Sequence, residues 1–302
     1  MAGFRIIAPL LWSMPFGMYR FALVQAFQIS RIRLPNPVSK RLRPFSCSTS
    51  NNMQALKLEV EQKFTLTDWH LGLADLQDRL SKAGFQATDE IEIVDWYFDT
   101  ADYQLCTCDC WLRYREALSG GQWELKRRPQ QLSEPSEERE SSAVYEEIEG
   151  LKAFDSAVSL VQPLSYSTTK PEYLKEYEDF AVPPLPSAEA SFLPFARIYT
   201  RRSSWRHIKG ADSAFWDRFA ALSIDIDCTD YGYTVGEVEL VAAKIDDVPP
   251  AQSLIRDFLK EMLGAESFTS SNSGERVEGK LECYLRRYRP ELYQLLVDRG
   301  LM

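Results

Sequence analysis

The sequence predicts an antiparallel α+β fold in which strands dominate. Three observations carry that prediction. Short segments of apolar–polar alternation recur along the chain beyond residue 54, and segments of helical period fall between groups of them. Five of the alternating segments also place ionised side chains on one face and core residues on the other. A chain of 302 residues, 45% hydrophobic and 26% charged, has the size and composition to bury a sizeable core.

The elements follow in order. Ala55–Phe64 (ALKLEVEQKF) alternates as a strand. Thr67–Phe85 reads as a helix because Leu73, Leu76 and Leu80 recur at helical spacing, with Thr67 or Asp68 as cap and Gly84 at its end. Asp89–Thr100, Cys110–Leu118 and Gln122–Arg128 are strands, the last two joined by a turn at Ser119-Gly120-Gly121. Residues 129–142 form an acidic, Pro- and Ser-bearing loop; AVYEEIEG (143–150) is a strand and Leu151–Val161 a short helix. Residues 163–190, rich in Pro, Ser, Tyr and Glu and without a period, read as an exposed insertion. Strands resume at Phe195–Ile208, Ala221–Asp230 and Tyr233–Ala243. Helices follow at about Ala251–Leu263 and at Lys280–Asp298, the second interrupted at Pro290.

Charge divides the chain. Residues 1–53 contain no Asp or Glu and carry seven basic residues, Arg5, Arg20, Arg31, Arg33, Lys40, Arg41 and Arg43. The remainder holds 28 basic against 44 acidic residues, a net charge of −16. An acid-free, Arg-bearing start of this kind resembles a mitochondrial transit peptide, with RPFS at Arg43–Ser46 as a processing site. A cytoplasmic protein starting at Met53 is the alternative. No apolar run approaches the roughly 20 residues of a membrane span, and the acidic body speaks against a nucleic-acid surface. Six cysteines, three of them spaced C-x-C-x-C at Cys106, Cys108 and Cys110, match neither a zinc site nor a disulfide scaffold.

The charged faces carry the chemistry. Lys57, Glu59, Glu61 and Lys63 share one face of the first strand, opposite Leu58, Val60 and Phe64. Arg113 and Arg115 share a face, as do Glu124, Lys126 and Arg128, Asp225 and Asp227, and Glu237 and Glu239. Like charges two apart repel. That cost is tolerable where an anion sits between the bases and a cation between the acids. A sheet closed into a barrel would turn these faces into an aqueous lumen and leave the apolar faces for helices to cover. Such a lumen suits a polyanion with its metal, because bases hold phosphates and hard carboxylate oxygens hold Mg²⁺ or Mn²⁺. Only two histidines, His70 and His207, are present, in keeping with an all-oxygen site.

The E-x-E-x-K of Glu59, Glu61 and Lys63 opens an ordered series: WYFDTADYQL, DCWLRYRE, WELK, RRSSW, IDIDCTDYGYTVGEVE and GKLECYLRRYRPELY. The series resembles the CYTH superfamily, the triphosphate tunnel metalloenzymes, from about Leu56 to Arg299, interrupted at 129–142 and 163–190. Its last four segments are most similar to the thiamine triphosphatases of that superfamily. The resemblance implies an eight-stranded antiparallel β-barrel with helices packed outside, spanning residues 54–302. It implies metal-dependent hydrolysis of thiamine triphosphate to thiamine diphosphate and phosphate, with Mg²⁺ or Mn²⁺ as cofactor. The sequence shows no dimer seam, and a monomer is expected. Within the same scaffold an inorganic tripolyphosphatase or a class IV adenylate cyclase is the alternative, and a noncatalytic polyphosphate-binding module is the alternative outside catalysis.

The resemblance also implies roles. Glu59, Glu61, Asp225, Glu237 and Glu239 form the metal-binding group. Lys63, Arg113, Arg115, Lys126, Arg202 and Lys280 hold phosphate oxygens. Alternation does not decide between Arg201 and Arg202, and only the match of RRSSW selects Arg202. Glu61, Lys63 and Tyr97 are the catalytic candidates. Trp111 shares the face of Arg113 and Arg115 and is placed to stack on the thiazolium ring of thiamine.

Overall fold

A computed structural model describes residues 57–65, 72–88, 90–129, 142–161, 171–187, 191–208, 215–263 and 277–302. The transit-like segment 1–53, the capping residues Thr67 and Asp68, most of 129–142 and parts of 163–190 lie outside the described residues. Among the described residues there are nine strands: β1 (Leu58–Phe64), β2 (Phe85–Ala87), β3 (Ile91–Asp99), β4 (Cys110–Ala117), β5 (Gly120–Arg127), β6 (Ser142–Glu149), β7 (Leu193–His207), β8 (Ser223–Thr229) and β9 (Thr234–Ala242). The helices are α1 (Leu73–Lys82), α2 (Leu151–Leu160), α3 (Val248–Leu263), α4 (Lys280–Tyr288) and α5 (Pro290–Asp298).

Eight strands close a barrel in the order β7–β3–β4–β5–β6–β1–β9–β8, with β8 pairing back onto β7. All of these pairings are antiparallel. Closure removes the sheet edges. The ninth strand, β2, was not foreseen; its three residues pair with Trp205–His207 at the far end of β7, beyond the reach of β3.

Two apolar clusters cover the outside of the barrel. Leu58, Val60, Phe64, Ile224, Ile226 and Val238 pack against Leu76 and Leu80 of α1 and Ile255, Phe258 and Leu259 of α3. Trp96, Phe98, Leu112, Trp123 and Leu125 pack against Ala153, Phe154 and Ala157 of α2. Each large side chain buried in this way contributes about 1.5–3 kcal/mol. Close approach fixes one residue type: opposite Phe64 stands Gly236, where a Cβ would collide with the phenyl ring.

Three expectations are corrected. Helix α1 begins at Leu73, with Gly72 as its cap, and Leu73 is exposed while Leu76 and Leu80 are buried. The β4–β5 turn is Leu118-Ser119, since Ala117 already faces Gly120, whose φ of 118° explains the glycine. The segment expected to be an exposed insertion is in part packed down. Its 3-10 helix Glu172–Tyr177 buries Tyr177, whose hydroxyl accepts a hydrogen bond from Arg289 Nη2 at 2.9 Å. Aromatic anchors without a period hold it, which is why periodicity misses it.

A third cluster lies where β3 and β7 meet the C-terminal helices. Tyr97, Phe195, Ala196 and Ile198 pack there with Tyr284 and Leu285 of α4 and Leu292 and Leu296 of α5. Tyr233 and Tyr231, in the connection between β8 and β9, donate hydrogen bonds to the carbonyls of Glu278 (2.7 Å) and Lys280 (2.6 Å). The first turn of α4 is thereby held at that end of the barrel. Among the described residues no helix is long and apolar enough to cross a membrane.

Candidate active site

The inward faces of the barrel strands carry an ion-pair lattice. On one side of the wall, Arg115 is bidentate to Asp95 of β3, with Nε–Oδ1 2.7 Å and Nη2–Oδ2 2.8 Å. Arg113 donates through Nε to Glu124 Oε2 of β5 at 2.7 Å. Burial alone would raise both carboxyls, but the two guanidiniums hold Asp95 well below its ordinary range and Glu124 at about 2.

Across the lumen, Glu61 pairs with Lys63 and, at 3.4 Å, with Lys126. These ammoniums overcome the effect of burial and keep Glu61 ionised. Lys126 also lies 2.5 Å from Glu59 Oε2, and Lys63 reaches to 3.8 Å from Glu237. Arg202 is bidentate to Asp227 (2.7 and 2.7 Å) and donates to Asp225 at 2.6 Å. Lys280, from the first turn of α4, completes this group on Asp227.

One contact has no base in it. Glu59 and Glu239 are neighbouring buried carboxylates whose charges oppose each other, so the pair favours holding one proton. Burial and the Glu59 charge raise Glu239 to about 8, while Lys126 holds Glu59 low against its own burial. The Ser223 hydroxyl donates to Glu239 Oε1 at 2.7 Å.

The structure thus brings every site residue expected from the sequence to the inner face or its margin, with differences in setting. Arg202 points inward, whereas Arg201 is exposed and 3.9 Å from Glu90. Tyr97 is buried opposite Arg113, its ring 6.2 Å from that of Phe195, so it belongs to the third apolar cluster as much as to the lumen. Trp111 is half-buried at the edge of that cluster, with Nε1 donating to Asp109 Oδ1 at 2.9 Å. Four lumen residues were missed: Asp95, Glu147, Ser204 and Arg206. Glu147 lies 2.6 Å from Lys57 and 3.7 Å from Arg113; Ser204 and Arg206 reach Asp225 at 2.7 and 3.2 Å.

The five expected metal ligands occupy three adjacent strands, β1, β9 and β8, with Glu61 facing Glu239 and Asp225 facing Glu237. Among the described residues no three acidic, histidine or cysteine side chains already converge into a metal cluster, because bases stand between them. The donor set nevertheless fits a hard divalent cation. All its donors are carboxylate oxygens, and two of them share a proton that a cation would replace.

A CYTH domain model matches residues 57–270. The chain belongs to the CYTH family. It is 30% identical over 254 residues to the thiamine-triphosphatase of Homo sapiens, covering 80% of this chain and 90% of that one. The thiamine-triphosphatase of Macaca fascicularis is 30% identical over 253 residues, with the same coverage. The solved structure of PH1819 protein from Pyrococcus horikoshii OT3 covers 76% of this chain and 99% of its own, at 13% identity and a TM-score of 0.42. The barrel assignment rests on the strand pairing instead.

Proposed function

We propose that this CYTH protein is a hydrolase that converts thiamine triphosphate to thiamine diphosphate and phosphate, with Mg²⁺ as its cation and Mn²⁺ as a substitute. The observation that carries this reading is the lumen itself, where six bases and five metal-type carboxylates face one another across a closed barrel. The likeness to curated thiamine-triphosphatases selects the organic end of the substrate.

Lys63, Arg113, Arg115, Lys126, Arg202 and Lys280 exchange their carboxylate partners for phosphate oxygens. They then stabilise the charge spread over the transferred phosphoryl group and the departing diphosphate. Glu59, Glu61, Asp225, Glu237 and Glu239 would hold the cation, which supplies charge neutralisation and a more acidic water. Glu61, held ionised by its two lysines, orients the attacking water. The water oxygen bonds to the γ-phosphorus as one of its protons passes to the Glu61 carboxylate and on to solvent. The bridging P–O bond breaks, and its electron pair leaves on the terminal oxygen of thiamine diphosphate. Trp111 offers its indole to the thiazolium cation.

The test is steady-state hydrolysis by the purified chain of thiamine triphosphate, tripolyphosphate and ATP, with Mg²⁺, with Mn²⁺ and with chelator. Preference for thiamine triphosphate and loss of turnover in chelator are expected. More than tenfold preference for tripolyphosphate would overturn the substrate assignment. Residues 1–53 support a mitochondrial location, expected to appear as mitochondrial import of a fluorescent protein fused behind them; diffuse fluorescence would remove it.

A further inference from the structure

Asp109 is a buried carboxylate at the start of β4 that no step above uses. Its backbone is left-handed, with φ 54° and ψ 41°, a region that L-residues other than Asn and Asp seldom occupy. Its carboxylate gathers three donors. Trp111 Nε1 donates to Oδ1 at 2.9 Å, the Tyr145 hydroxyl donates to the same oxygen at 3.3 Å, and Arg128 Nε donates to Oδ2. The donors come from β4, from β6 and from the residue just past β5, so Asp109 ties three neighbouring strands together at one level of the barrel.

The Trp111 indole is the consequential partner. Trp111 faces Lys126 across the β4–β5 pair, and Lys126 is the ammonium beside Glu59 and Glu61. The indole therefore flanks the phosphate cradle. A tryptophan has two rotatable side-chain bonds, and a fixed Nε1–H···O bond selects one ring orientation. Arg128 is 63% exposed, so its ion pair does not by itself account for burying a carboxylate here.

We propose that Asp109 is a positioning residue that determines specificity. By fixing the plane of the Trp111 indole, it makes the site prefer a triphosphate carrying a cationic aromatic ring over an inorganic one. The inference rests on the proposed function and deepens it. A ring cation gains from an indole face held ready for it, whereas tripolyphosphate has no ring to stack.

The test compares kcat/KM for thiamine triphosphate with kcat/KM for tripolyphosphate in the parent, Asp109→Gly, Asp109→Asn and Trp111→Ala. Glycine removes the carboxylate while accepting the left-handed backbone; asparagine keeps an acceptor for the indole and tolerates the same backbone. Asp109→Gly is expected to lower the ratio about tenfold, mainly through KM for thiamine triphosphate, and Asp109→Asn to hold it within about threefold of the parent. An Asp109→Gly protein that loses both substrates in equal proportion would show a structural role only and overturn the inference. A drop in the ratio with Trp111→Ala but not with Asp109→Gly would overturn it while sparing the proposed function. A parent with no preference for thiamine triphosphate would remove both.

Discussion

The two sides of the barrel wall balance their charge in different ways. On the β3–β4–β5 side, each arginine meets a carboxylate of a neighbouring strand, Arg115 with Asp95 and Arg113 with Glu124. The β1–β9–β8 side carries Glu59, Glu61, Glu237, Glu239, Asp225 and Asp227 against Lys63 as its lumen base. Its remaining bases come from elsewhere: Lys126 from β5, Arg202 from β7 and Lys280 from α4. Even so, Glu59 and Glu239 remain as a pair that needs a proton. The first side pairs both of its arginines with its own carboxylates and has Lys126 to spare, while the second depends on imported charge. A cation bound to the second side would release those imported bases to face phosphate.

The largest expected effect is the loss of a carboxylate charge from the acid-rich side. Glu61→Gln keeps the shape of the side chain and removes the charge that Lys63 and Lys126 hold in place. Turnover is expected to fall about a thousandfold, comparable to removing a transition-state contact worth ~3–4 kcal/mol. The folding transition seen by circular dichroism should persist as one cooperative step. Near-normal hydrolysis by this variant would take Glu61 out of the chemistry.

Next comes the imported arginine. Arg202→Ala takes the shared guanidinium from the buried carboxylates of Asp225 and Asp227, leaving Ser204 and Arg206 on the first and Lys280 on the second. Losing one partner of a buried pair typically costs about 3–5 kcal/mol, and the remaining partners place this loss at the lower end. Arg201→Ala, one residue away on the outer face, should stay within about 0.5 kcal/mol of the parent in urea titrations. Equal destabilisation by the two would mean that inner and outer faces are not energetically distinct.

How much of this was legible in sequence depends on what covers each face. Most of the barrel strands were readable because one face is apolar and packed while the other is largely polar. Asp95 was missed for the opposite reason. In IVDWYF both faces are buried, Trp96 and Phe98 outside and Tyr97 inside, so the alternation is lost in a nearly continuous apolar run. Glu147 was hidden by its neighbour: Glu146 pairs outside with Arg127, so adjacent glutamates blur the parity. Two-residue periodicity also says nothing about partners. It placed Asp225 on an inward face, and the match of RRSSW selected Arg202, without either revealing that the two touch.

A pH-dependent effect, a few kcal/mol at most, is expected from the shared proton. The folded state raises Glu239 from 4.5 to about 8, so it binds a proton that the unfolded chain releases. The stabilisation is complete below pH 4.5 and is lost as pH rises through about 8. Glu239→Gln mimics the protonated form at every pH. Without metal, its thermal midpoint should approach the parent's near pH 5 and exceed it near pH 9. Excess Mg²⁺ should reverse the order near pH 9, because the parent keeps a ligand that the variant lacks. A constant difference across that range would leave the pair without a shared proton.

The smallest effect tests where the lattice ends. Lys57 shares the parity of Glu59 and Glu61, yet its side chain is 40% exposed and its partners are Glu147 at 2.6 Å and Glu149 at 2.6 Å, the latter itself 47% exposed. Burial works against its charge, and the two glutamates outweigh burial and raise it. Water competes for such a pair, which limits its worth to about 0–1 kcal/mol. Lys57→Met keeps the length of the stem and removes the charge. It should therefore leave kcat/KM within about twofold and stability within about 1 kcal/mol of the parent at 0.15 M salt. The difference that remains should shrink further in 1 M salt, where charges this exposed are screened. A loss of turnover approaching that of Glu61→Gln would place Lys57 on the substrate path and extend the phosphate cradle to the β6 side of the wall.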